Sequence, residues 1–142
     1  MSFVLDSSVS LAWCFDDEHT LATDALLERV VGSGAIAPLL WPLEVLNALA
    51  MAERRDRIDS DRRRRLAGFL RDLPVIVDDE TCSQAWIVTS QLAARLRLTV
   101  YDAAYLELAQ RRGLALATLD RELHAAASML GIELLDTGLR PL

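Results

Sequence analysis

The chain alternates short, almost continuously apolar runs with longer stretches in which apolar residues recur every three or four positions. Phe3 to Leu5, Ala35 to Ala37, Val75 to Val77, Leu114 to Thr118 and Ile132 to Leu135 are the apolar runs. Each is the length of a strand buried on both faces. The intervening stretches carry helical spacing. Val9 to Phe15 forms a short helix, closed by Asp16, Asp17 and Glu18. His19 to Val31 follows, with Leu21, Leu26, Leu27, Val30 and Val31 on one side and Gly32 and Gly34 ending it. Trp41-Pro42 opens a third helix with Pro in the first turn, and Leu43, Leu46, Leu49 and Ala50 form its expected buried stripe. Asp59 or Ser60 caps a fourth helix that stops near Leu73-Pro74. Asp79 to Leu96 reads as one long amphipathic helix with Ala85, Val88, Leu92 and Leu96 inward. Helices from Asp102 to Arg112 and from Asp120 towards Gly131 complete the pattern.

Strands that alternate with helices and are apolar on both faces predict an α/β fold. The expected form is a three-layer α/β/α sandwich around a mostly parallel sheet of five strands. The 142 residues suit a single domain spanning 1–142, with no internal repeat or linker. No apolar run reaches the roughly 18 to 20 residues that cross a bilayer, and no basic segment precedes an apolar one as in a secretory signal. The expectation is therefore a cytoplasmic protein without a membrane partner. Cys14 and Cys82 lie in apolar helical patterns and read as buried free thiols.

The net charge of −6 argues against a protein that coats nucleic acid, but not against a nuclease with an acidic site. All fifteen basic residues are Arg, and eight of them fall between Arg54 and Arg71. The run Arg62, Arg63, Arg64, Arg65 can grip a phosphate backbone, or simply solvate a helix face salted by Asp56, Asp59 and Asp61.

Four acids stand at element boundaries: Asp6 after the first strand, Glu44 in the first turn of the Pro42 helix, Asp102 at the start of the Ala103 helix, and Asp120 after the fourth strand. Each alone reads as a helix cap or a partner of the helix dipole. Together they share an address, because ligands of open α/β sheets bind outside the carboxyl ends of the strands. Two carboxylates about 5 Å apart repel by about 3 kcal/mol at an effective dielectric near 20. A domain stable by only ~5 to 15 kcal/mol cannot hold four such charges unpaired. Some must be protonated, or a cation must sit among them, and an all-oxygen set favours Mg²⁺ or Mn²⁺. His19, His124 and the separated cysteines have no zinc spacing. Ser8, Asn47 and Thr118 are the polar neighbours expected to support the acids, and Tyr101 and Tyr105 read as core.

Two other acid-bearing folds fit less well. A phosphoacceptor receiver domain needs a Lys, and the chain has none. An aspartyl phosphatase needs Asp-x-Asp, where this chain has Asp6-Ser7-Ser8.

The segments VLDSSVSLAW, PLEVLNALA, LTVYDAAYLELA and ATLDREL, in this order, resemble the PIN-domain family, and within it VapC-type toxins. The resemblance covers essentially the whole chain; Leu119 departs from the Asn that often precedes the last Asp. It implies a parallel sheet of order 3-2-1-4-5 and a Mg²⁺- or Mn²⁺-dependent ribonuclease acting on RNA. It also implies a homodimer and a cognate antitoxin. It places the catalytic site on Asp6, Glu44, Asp102 and Asp120, with Asp6, Asp102 and Asp120 as metal ligands and Ser8 and Thr118 in support. The alternatives are a housekeeping PIN-domain ribonuclease outside a toxin–antitoxin pair and a catalytically degenerate PIN binding module.

Overall fold

The computed structural model describes residues 2–139. Strand β1 (Val4–Leu5) is the axis of the sheet. It pairs in parallel with β2 (Ala35–Ala37) on one side and with β4 (Leu116–Ala117) on the other, and β3 (Val75–Val77) pairs in parallel with β2. The order is β3-β2-β1-β4. The expected fifth strand is reduced to a parallel bridge between Leu134 and Leu116. It lies beside β4 as the expected order requires, but pairing does not extend along it.

Side-chain alternation along these short strands builds two cores. Phe3, Leu5, Ala35, Ala37, Ala115 and Ala117 face one layer, together with residues of α1 (Ser7–Ala12), α2 (Leu21–Ser33), α3 (Trp41–Arg54) and α4 (Ser60–Asp72). Val4, Ile36 and Leu116 face the other. There they meet α6 (Ser90–Leu96), α7 (Val100–Arg112) and α8 (Arg121–Met129). Helices cover both faces of the central strands, which explains their continuous apolar runs, whereas the edge strand β3 leaves Ile76 69% exposed, against the expectation of a strand buried on both faces.

Four local expectations are corrected. The inward stripe of α3 is Trp41, Val45, Leu49 and Ala52, whereas Leu43 is 71% exposed and Leu46 is also exposed. This helix is apolar on two sides, so its periodicity alone does not choose the face. Likewise Leu21 and Val31 of α2 are exposed, and Thr23, Leu26 and Val30 turn inward. The expected long helix after β3 is broken into α5 (Thr81–Gln84), a π-helical segment at Ala85–Thr89, and α6. The wider turn rotates the buried face onto Thr89, Leu92 and Ala93 and leaves Trp86, Ile87 and Val88 outward. Cys14 is buried as expected, but Cys82 is exposed.

The junction of α2 and β2 explains one glycine. Gly34 has φ of 78°, and a Cβ there would lie 3.1 Å from the Pro74 carbonyl. A side chain at this position would be strained by its backbone and would crowd the entry to β3.

Candidate active site

The backbone hydrogen bond from Asp6 N to Ala117 O (3.1 Å) ties the end of β1 to the end of β4. Asp6 is thereby brought beside Thr118, 112 residues away. Asp6 occupies the N-cap position of α1, yet its side chain makes no capping bond. Its carboxylate is 4% exposed and receives two hydroxyls instead. Ser8 Oγ donates to Oδ2 at 2.6 Å, and Thr118 Oγ1 donates to the same oxygen at 2.7 Å. Both hydroxyls are themselves aimed by the β4–α8 connection. Leu119 N donates to Ser8 Oγ at 2.9 Å, and Asp120 N donates to Thr118 Oγ1 at 3.0 Å. Ser8 and Thr118 thus both bond the Asp6 carboxylate.

Glu44 reaches the same edge from α3. The start of this helix is pinned by Trp41 Nε1–H, which donates to buried Ser10 Oγ of α1 at 2.9 Å. The Glu44 carboxylate accepts the Tyr105 hydroxyl on Oε1 at 2.6 Å. Tyr105 is fully buried, as expected, but its hydroxyl serves the acids rather than the core. Tyr101, also read as core, is 65% exposed. Asp102 sits in the first turn of α7, whose cap is Thr99. Asp120 does act as a cap, because Oδ1 accepts Leu123 N at 2.9 Å. Asn47 is exposed and, among the described residues, no hydrogen bond links it to the acids; position 47 lies off the inward stripe of α3.

The four acids share one electrostatic neighbourhood. Burial pushes the Asp6 carboxyl upward; the Ser8 and Thr118 bonds oppose this, and the charges of Glu44 and Asp120 add to it. Burial also raises Glu44, opposed by the Tyr105 bond and reinforced by Asp102. Asp102 is pushed up to about 6, by burial first and then by Asp120 and Asp6. Glu122, in the first turn of α8, adds a further negative charge there that the sequence reading missed. Among the described residues no ion pair within 4 Å includes Asp6, Glu44, Asp102 or Asp120.

A second acidic group provides a contrast. Asp78, Asp79 and Glu80 hold carboxylate oxygens within 4.8 Å of one another. Here the protein supplies its own cation. Arg111 donates to Asp78 Oδ2 at 2.7 Å, to Glu80 Oε2 at 2.9 Å and to Glu107 Oε2 at 2.8 Å. Burial would raise Asp78, but the Arg111 and Thr81 bonds outweigh it and hold this carboxyl below its ordinary value. The Asp78 group thus holds a cation of the protein's own, and among the described residues no such ion pair reaches the Asp6 group.

Three of the four acids are anchored alike. Asp6, Glu44 and Asp120 each have one carboxylate oxygen held by a protein donor, and among the described residues no hydrogen bond engages the other. Among the described residues the acids that bring three carboxylate oxygens within 4.8 Å of one another are Asp78, Asp79 and Glu80, so the Asp6 acids stand farther apart than that; their oxygen-only donors are of the type a hard divalent cation takes. Three members of the arginine run pair with acids, one of them the expected Asp61. Arg62 pairs with Asp16 at 3.8 Å, Arg64 pairs with Asp61 at 2.8 Å, and Arg63 pairs with Glu53. Among the described residues Arg65 makes no ion pair within 4 Å.

The PIN-domain family model matches residues 3–128. Among solved structures, the chain is similar to PAE2754 from Pyrobaculum aerophilum at 26% identity and a TM-score of 0.70, covering 98% of this chain and 87% of that one. It is similar to FitAcB from Neisseria gonorrhoeae at 14% identity and a TM-score of 0.68, covering 96% and 98%. A structure of FitAB bound to an IR36 DNA fragment matches at 12% identity and a TM-score of 0.60, covering 99% and 98%. The last two likenesses concern the fold. No curated protein sequence matches the chain.

Proposed function

The chain belongs to the PIN-domain family, whose members are generally nucleases, and from that premise we propose that it is a divalent-metal-dependent endoribonuclease toxin neutralised by a cognate antitoxin. The observation that carries this reading is the carboxylate group at the carboxyl edge of the sheet, which among the described residues makes no ion pair, with one oxygen of Asp6, Glu44 and Asp120 anchored and no described hydrogen bond on the other.

Asp6, Asp102 and Asp120 would hold Mg²⁺ or Mn²⁺, and Glu44 would complete the set. A cation bound there supplies Lewis acidity, lowering the pKa of its water and stabilising charge on a leaving oxygen. The protein's own part is preorganisation. Ser8 and Thr118 hold Asp6 in one orientation, and Leu123 N holds Asp120. Fixed carboxylates direct water at the phosphodiester without reorganising during the reaction. Hydrolysis would leave 5′-phosphate and 3′-hydroxyl ends.

Two surfaces support protein partners. An apolar groove of 480 Å³ lies between α3 and α4, lined by Trp41, Val45, Leu46 and Leu70 and edged by Arg63, Arg64 and Arg71. Its chemistry suits an acidic amphipathic antitoxin segment, and the likeness to FitAB supports a two-protein assembly. The outward apolar residues Trp86 and Ile87 support a homodimer contact.

The test is single-turnover cleavage of defined transfer, ribosomal and messenger RNAs with Mg²⁺ or Mn²⁺, and with EDTA. Cleavage that needs the metal and is lost in Asp6→Asn supports the reading. Metal-independent cleavage, or undiminished cleavage by Asp6→Asn, refutes it.

A further inference from the structure

Ser8 donates to Asp6. Tyr105 in turn donates to Glu44 Oε1 at 2.6 Å, across 61 residues of sequence. Asp102 and Tyr105 lie three apart on α7, one turn of the same helix. The Tyr105 hydroxyl therefore ties the acid of α3 to the helix that carries Asp102. Its ring is fully buried in the core formed by α6, α7 and α8, so the hydroxyl's position is set by packing rather than by a mobile side chain.

We infer that Tyr105 is a positioning residue for the metal centre, holding Glu44 at a fixed place relative to Asp102. This inference rests on the proposed function. Glu44 is the acid that most needs such a device. Asp6 is fixed by its own strand, and Asp120 by its own cap, whereas Glu44 projects from a helix on the opposite face of the sheet from α7. Partners that orient a ligand typically contribute about 10- to 100-fold in metal affinity.

The experiment titrates Mn²⁺ into the full-length wild type and Tyr105→Phe by calorimetry, with metal-free thermal melts alongside. Removal of the hydroxyl keeps the ring in the core. The expected result is an affinity for Mn²⁺ weakened about 10-fold or more, with a folded metal-free protein. The same substitution in a Glu44→Gln background should add little further loss, because Tyr105 acts through Glu44. Unchanged Mn²⁺ affinity in Tyr105→Phe overturns the inference and leaves the proposed function standing. So does a variant that is less stable yet binds Mn²⁺ normally, or one whose loss adds in full to that of Glu44→Gln. A wild type that binds no Mn²⁺ overturns the proposed function and the inference with it.

Discussion

Replacing Asp102 by Asn should make the metal-free protein more stable while removing the proposed activity. A carboxyl moved from 3.8 to about 6 is disfavoured as an anion by about 3 kcal/mol relative to the unfolded chain. The side chain is partly open to water, so screening reduces this to about 1–2 kcal/mol. The sign is opposite to that of a salt-bridged carboxylate. Below about pH 4 the group is protonated in both states and contributes nothing. Between about 4 and 6 the folded state holds the proton more tightly, so stability falls as pH rises. Above about 6 the full penalty is present. Asp6 and Glu44 are shifted in the same direction and add to it. Thermal melts in EDTA at pH 7 should therefore show Asp102→Asn above wild type by about 3–10 °C for a chain of this size. Wild type should gain stability as pH is lowered from 7 to 5, and the variant should gain less. Adding Mn²⁺ should reverse the ranking, because only the wild type gains binding energy. An Asp102→Asn variant that melts below wild type in EDTA, with wild type flat from pH 7 to 5, would refute the claim that these charges repel.

Asp6→Asn should fold, because its amide oxygen can still accept from Ser8 and Thr118, and should lose metal-dependent RNA cleavage; gross unfolding by circular dichroism would contradict this. Arg111→Met removes the cation between two buried carboxylates, Asp78 and Glu107, and should cost about 3–5 kcal/mol in urea unfolding, whereas a loss under about 1 kcal/mol would show that the pairing is dispensable. If the arginine run touches RNA, Arg65 is its best-placed member, since its three neighbours are paired. Arg65→Gln should then lower the salt slope of RNA binding by about 0.7 for one lost single-strand phosphate contact, and an unchanged slope retires that role.

The amino-acid pattern alone determined the layered α/β architecture. Strands as short as Val4–Leu5 and Ala35–Ala37 are continuously apolar only because helices cover both faces, and that constraint is written along the chain. It also placed Asp6 and Asp120 at strand ends and Glu44 and Asp102 at helix starts, since those boundaries are local features. The tertiary structure decided what periodicity leaves degenerate. In α3 both Leu43 and Leu49 have helical spacing, and only packing against α1 and α4 selects Leu49 for the interior. The π segment shifts the buried face after Ala85 through one local change in winding. Pairings across long separations, such as Tyr105 with Glu44, Thr118 with Asp6 and Arg111 with Asp78, depend on which strands lie side by side. They also decide which acidic group is paired with an arginine, because the energy of a carboxylate depends on neighbours that only the fold brings within reach.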